Sequence, residues 1–154
     1  MSFNIKDFWD NKILEWECGR YNLNTSKNKP LEMIADLVSK SLRFRLKITK
    51  ELLKPHIKGK AIIEIGCGSG LLTKFLHDNG AKYYQGFDIS ENAISQAIKI
   101  ANQNKIKNFA KYQVCTVSNL PKLNGDIVFS LGLLDWLNDY ELDILFKSTE
   151  NKNV

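Results

Sequence analysis

The chain has 154 residues, a formal charge of +5 and ordinary shares of apolar (44%) and charged (25%) residues, which suits one soluble domain and excludes a disordered or fibrous chain. No apolar run approaches the ~20 residues of a membrane span. The opening Met1–Asp10 lacks a basic stretch followed by an apolar core, so an unexported, cytoplasmic protein is expected.

Two regions are expected, a helical extension over residues 1–58 and an α/β domain over 59–154. In the first, Phe8, Trp9, Ile13 and Trp16 fall on one helical face. Core packing or a cover over a ligand are both open for these aromatics. The stretch 22–30 is polar and reads as a loop, and Pro30 suits the first turn of a helix with the stripe Leu31, Ile34, Ala35, Leu37, Val38 and Leu42. Helix continues or restarts over Leu46–Leu53 until Pro55 and Gly59 end it. Arg43, Arg45, Lys47, Lys50 and Lys54 form the densest basic stretch, read as a solvated helix face rather than a nucleic-acid surface.

From Lys60 the pattern becomes strand, turn and helix, repeated. Ala61–Ile65 is a short β-branched run, as a buried parallel strand should be. Gly66–Gly70 forms a turn, and Leu71, Leu72, Phe75 and Leu76 follow at helical spacing, with Gly80 as the cap. Lys82–Phe87 reads as a second strand with Asp88 at its end. Ser90 can cap a helix whose apolar face is Ala93, Ile94, Ala97, Ile98 and Ala101. Phe109–Val114 and Asp126–Leu131 give two more strands, and Asp139–Lys147 a last helix. Alternation of this kind implies a doubly wound, mostly parallel sheet with helices on both faces.

In such a sheet ligands sit at the carboxyl ends of the strands. Gly66 allows the sharp turn out of the first strand, Gly68 lets a ligand meet bare backbone, and Gly70 lets the helix start pack closely. Glu64 can turn its carboxylate toward the ligand. Asp88 can accept hydrogen bonds from a ribose diol. Cys18, Cys67 and Cys115 are far apart and odd in number, and His56 and His77 lack partners at metal-ligand spacing, so no disulfide framework and no metal site are expected.

The loop Glu64-Ile-Gly66-Cys67-Gly68-Ser-Gly70 departs from the dinucleotide fingerprint, because Leu71 stands where its third glycine would be. It resembles instead the acid-x-G-x-G-x-G motif of class I S-adenosylmethionine-dependent methyltransferases, and residues 60–137 resemble the rest of that pattern in order. An NAD-dependent oxidoreductase is thereby disfavoured. The resemblance implies a Rossmann-like fold, S-adenosyl-L-methionine as cofactor and S-adenosyl-L-homocysteine as product. It places the motif loop, Cys67 included, and Asp88 on the cofactor, Ile89, Thr116 and Val117 at the adenine, and Ser130 beside the methionine part. Thr116 stands where the family usually has an aspartate, which replaces a charged hydrogen-bond acceptor by a neutral one.

The opening Phe8-Trp9-Asp10 with Arg20-Tyr21 resembles the N-terminal cover of small-molecule methyltransferases, so a small-molecule acceptor is expected. Trp9, Tyr21, Asp135 and Asp139 are candidates to touch it, and no catalytic base is assigned. The segment Ser130-Leu-Gly-Leu-Leu-Asp135-Trp136 lacks the proline motif of amino-methylating DNA enzymes, which argues against a DNA acceptor and leaves protein or RNA as alternatives to the small molecule. The family usually has seven strands, whereas four are legible, so the sheet is expected to stop short and leave Ile127–Leu131 as an apolar edge. A fragment of a longer protein, a second chain or homo-oligomer completing the sheet, and a non-catalytic binding or interaction module are the alternatives to a self-sufficient enzyme.

Overall fold

The computed structural model describes residues 4–12 and 43–150. Trp16, Cys18, Arg20, Tyr21 and the helix expected over 30–42 lie outside the described residues. Two helical segments come first, α1 over residues 5–12 and α2 over 43–53. The α/β portion then runs β1 (Ala61–Ile65), α3 (Thr73–Asp78), β2 (Tyr83–Asp88), α4 (Glu91–Gln103), β3 (Ala110–Val114), β4 (Ile127–Phe129) and α5 (Asp139–Thr149). Single 3-10 turns lie at Val117–Asn119 and Leu134–Trp136.

The four strands pair in parallel in the order β3-β2-β1-β4. Strand residues alternate between faces, and the two cores follow that alternation. Ile62 of β1 and Tyr84 of β2 pack with Leu72, Leu76 and Ile94 on one face, where Leu46 and Leu53 of α2 also rest. Ile63, Ile65 and Phe87 pack with Val117, Leu123 and Leu145 on the other. The sheet is therefore doubly wound, with helices on both faces. The strand order reverses between β1 and β4, each a neighbour of the other across the point where ligands sit in such sheets.

Local chemistry explains the element ends. Ser90 caps α4 by accepting from the Ala93 N–H at 3.1 Å. Asn138 and Glu141 form a reciprocal capping box on α5. Asp126 Oδ2 accepts from the Ala61 N–H at 2.7 Å, tying the starts of β4 and β1 together. Two expectations need correcting. Leu71 is exposed and lies before α3, which begins only at Thr73 because the chain first closes a turn from Thr73 N–H to the Gly70 carbonyl. Ile98, expected on the buried face of α4, is 46% exposed; α4 lies along β3, an edge strand whose own Val114 is exposed, so the apolar stripe is wider than the sheet beneath it. Among the described residues β4 is the other edge, and Ile127, Val128 and Phe129 are half-buried.

Candidate functional site

The Gly66–Gly70 loop leaves β1 and seats itself on the end of β2. Gly66 N–H (2.8 Å) and Cys67 N–H (3.0 Å) both donate to the Phe87 carbonyl. Gly66 has φ +78°, and a Cβ there would lie 3.2 Å from Leu133 Cβ. That position thus needs glycine both for its left-handed turn and for the approach of the chain after β4. Gly68, at φ +52°, aims its N–H at Asp88 Oδ2, 2.8 Å away. A Cβ on Gly70 would meet Thr73 Oγ1 at 2.9 Å and the Tyr112 hydroxyl at 3.0 Å. The loop is packed from beneath and pinned at its middle.

Asp88 is 8% exposed. Its second oxygen, Oδ1, accepts from the Ser90 N–H at 2.9 Å. Burial pushes its carboxyl above the ordinary carboxylate range, against the pull of the Ser90, Gly68 and Ile89 N–H groups. An ionised carboxylate offers about four lone-pair sites. Gly68 and Ser90 take one on each oxygen and the Ile89 N–H leans on the same group, which still leaves acceptor capacity for a ligand.

The ends of β2 and β3 are joined where Cys115 N–H donates to the Asp88 carbonyl at 2.8 Å. Thr116 follows directly, and its buried Oγ1 finds no hydrogen-bond partner among the described residues. A buried hydroxyl without a partner costs about 1–3 kcal/mol, so this atom marks a place where the fold leaves an acceptor and donor for something else. Ile89 is half-buried beside it, Val117 is buried, and Ser130 lies half-buried after β4. Sequence-predicted residues on β1, β2, β3 and β4 are thus gathered at one end of the sheet.

Glu64 stands apart. It is 3% exposed, and Oε2 accepts from the Tyr84 hydroxyl at 2.7 Å within the sheet's helix-covered face. The sequence pattern did not single out Tyr84, nor Gly86 beside it. Gly86 pairs with Glu64 across the strands, and a Cβ there would lie 2.7 Å from Cys67 Sγ and 3.0 Å from the Tyr84 hydroxyl. A glycine inside a strand was the available signal.

Helix α1 crosses this end of the sheet. Asp10 Oδ1 accepts from Ser90 Oγ at 2.7 Å, and Asn92 Nδ2 donates to the Asp10 carbonyl at 2.8 Å. Lys6 and Glu91 pair at 2.6 Å on the surface. Burial opposes ionisation of Asp10, but the hydrogen bonds from Ser90, Asn92 and Glu91 outweigh it and hold its carboxyl below the usual value. At the other side Trp9 meets Trp136 edge-on at 4.8 Å, and Phe8 stacks on Trp136 at 5.8 Å. Because α1 touches the segments that follow both β2 and β4, it spans the mouth of β1 between them. Asp135 is exposed and faces Arg45 of α2 at 3.8 Å. Asp139 is an exposed first-turn residue of α5.

A doubly wound parallel sheet with a glycine loop, a buried acid at the next strand end and a covering helix defines a class of α/β protein that takes its ligand at the strand ends. Comparison with known proteins gives the family. A family described as "Methyltransferase domain" matches residues 62–151, more than half of the chain. The chain belongs to that family, the class I S-adenosylmethionine-dependent methyltransferases. The ubiquinone biosynthesis O-methyltransferase of Coxiella burnetii is 31% identical over 141 residues, covering 82% of this chain and 55% of that protein. Protein arginine N-methyltransferase 1 of Schizosaccharomyces pombe is 37% identical over 76 residues, 49% of this chain and 21% of its own. Magnesium protoporphyrin IX methyltransferase from Synechocystis PCC 6803, solved with S-adenosylmethionine bound, superposes with a TM-score of 0.74 at 17% identity, over 99% of this chain and 74% of that one. At that identity the likeness speaks for the fold. The chain spans about half the length of the Coxiella relative. Among the described residues no helix is long and apolar enough to cross a membrane, and no group of three His, Cys, Asp or Glu could hold a metal ion.

Proposed function

We propose that this chain binds S-adenosyl-L-methionine at the carboxyl end of the sheet and takes part in methyl transfer to a small-molecule acceptor. When bound, that cofactor would supply a methyl group already made electrophilic by its sulfonium; an acceptor that loses a proton on methylation would pass it to solvent or to an unassigned group. The work left to the chain is orientation and exclusion of water.

The observation that carries the reading is the pairing of two neighbouring strand ends. Asp88 is held by Gly68 and Ser90 with acceptor capacity to spare, and at the neighbouring strand end the Thr116 hydroxyl is buried without a partner among the described residues. In this reading Asp88 accepts from ribose hydroxyls, Thr116 accepts from the adenine amino group, and Ile89 and Val117 flank the ring. Gly66, Cys67, Gly68 and Gly70 present the loop backbone, with Glu64 beneath it and Ser130 toward the methionine end. The rings of Phe8, Trp9 and Trp136 offer an apolar wall to the acceptor, and Trp9 and Asp135 are its proposed contacts.

Calorimetric titration of the chain with S-adenosyl-L-homocysteine, with NAD as control, tests this. Saturable binding of the first and none of the second is expected. A folded chain that takes up neither would overturn the reading and favour a non-catalytic interaction module.

A further inference from the structure

Helix α4 begins at Glu91, and the first backbone N–H groups of a helix have no partner within it. Two side chains serve them here. Ser90 Oγ accepts from the Ala93 N–H at 3.1 Å. The Asp10 carboxylate of α1 takes the two before it. Its Oδ1 accepts from the Asn92 N–H at 3.3 Å, and the Glu91 N–H donates to the same group. A negative charge at the positive end of a helix is also favourable. Asp10 thus finishes a helix that starts 80 positions later in the chain, at the residue after Ser90.

Ser90 is where this cap meets the ligand site. It is fully buried. Its hydroxyl donates to Asp10 Oδ1 at 2.7 Å, and its backbone N–H donates to Asp88 Oδ1 at 2.9 Å. One serine therefore ties the carboxylate of α1 to the carboxylate that ends β2. A hydroxyl has a single proton to give. With Asp10 taking that proton and Ala93 facing a lone pair, the Ser90 side chain has one setting. The same stretch of α1 is held by Asn92 Nδ2, which donates to the Asp10 carbonyl at 2.8 Å, and Phe8 and Trp9 meet Trp136 beyond β4.

We infer that Asp10 is a positioning residue for the cofactor site. By capping α4 from α1 it fixes Ser90, and through Ser90 the Asp88 carboxylate, so that docking of α1 and binding at the strand ends strengthen one another. This rests on the cofactor reading above. Coupling of this kind is reciprocal: if docked α1 tightens the ligand, bound ligand holds α1 down by the same factor.

Three variants separate the parts. Asp10→Ala removes both acceptor and charge. Asp10→Asn keeps an oxygen for Ser90 and loses the charge. Lys6→Ala breaks only the surface pair between the same helix and Glu91. Calorimetry with S-adenosyl-L-homocysteine is run on each, alongside amide hydrogen exchange with and without that ligand. Affinity should fall by about fivefold or more in Asp10→Ala, the lower end of ordinary coupling between sites. It should fall less in Asp10→Asn, and by less than about twofold in Lys6→Ala. In the native chain saturating ligand should slow exchange of the α1 amides and of Asn92. In Asp10→Ala the protection of α1 should be lost, a change that general weakening of the fold would not produce.

Native-like affinity in Asp10→Ala overturns the inference alone, as does an equal loss in Lys6→Ala. If Asp10→Ala does not fold, the native chain decides: ligand that binds and leaves exchange in α1 unchanged contradicts the inference. A folded native chain that binds no S-adenosyl-L-homocysteine overturns the cofactor reading, and the role assigned to Asp10 with it.

Discussion

The ends of β2 and β3 lie side by side, yet they are finished in opposite ways. At β2 each oxygen of Asp88 accepts from one backbone N–H group, one from the glycine loop and one from the start of α4. At β3 the Thr116 hydroxyl is buried and has no hydrogen-bond partner among the described residues. The first end is rigid before any ligand arrives, because the carboxylate is part of the machinery that shapes the loop. The second end is a small deficit in the folded chain that a ligand with a polar edge would relieve. A change at Asp88 should therefore disturb loop and ligand together, whereas a change at Thr116 can separate stability from binding.

The broadest effect, on fold and ligand together, should come from breaking the seat on which the β2 end rests. Gly86→Ala places a Cβ 2.7 Å from Cys67 Sγ and 3.0 Å from the Tyr84 hydroxyl. Overpacking of that kind costs about 1–3 kcal/mol. Denaturant unfolding should show the loss, and calorimetry should show weakened cofactor binding as the loop lifts. Next, Asp88→Ala should remove about 1.5–3 kcal/mol of binding to S-adenosyl-L-homocysteine, the worth of hydrogen bonds to a charged group. Unchanged affinity would contradict the ribose assignment.

The same residue sets a pH dependence. Binding requires the ionised carboxyl, and burial has raised its pKa, so protonation sets in at a higher pH than for an ordinary aspartate. Affinity should hold at neutral pH and fall on acidification through that raised pKa. Asp88→Asn should bind weakly throughout and lose that acid limb, as titrations across the pH range would show.

Thr116 sharpens the contrast. Thr116→Val should raise folding stability by about 1 kcal/mol, because a buried unsatisfied hydroxyl is removed, while binding weakens. Thr116→Asp should tighten binding, since charge-assisted hydrogen bonds are roughly twice as strong as neutral ones. Weaker binding in Thr116→Asp would displace the adenine from this strand end. The smallest effect concerns neither end. Lys105 holds φ +59° just after α4, a conformation that suits glycine. Lys105→Gly should raise stability by about 0.5–1 kcal/mol in thermal or denaturant unfolding and leave binding untouched.

The fold was legible because its signals are local. β-Branched runs, a glycine turn and Ser90 at a helix start are all read within a few residues, and each strand fell within two residues of its expected bounds. The strand ends that gather Asp88, Thr116 and Ser130 follow from topology once the strands are known. What could not be read depends on partners distant in sequence. Glu64 was expected to face the ligand, and its bond to Tyr84 needs the register of β1 against β2 and the gap at Gly86. The bond between Asp10 and Ser90 joins residues 80 positions apart, and nothing in either neighbourhood announces it. The exposure of Ile98 shows the same limit: periodicity gives the apolar face of a helix but not how much sheet lies beneath it.

The central claim is that one ligand engages both strand ends. Amide NMR spectra recorded during titration with S-adenosyl-L-homocysteine test it most directly. The amides of Gly68, Ser90 and Val117 should shift together and saturate at one ligand concentration, with NAD leaving them in place. Shifts confined to other parts of a folded chain, or Gly68 moving while Val117 does not, would contradict the account.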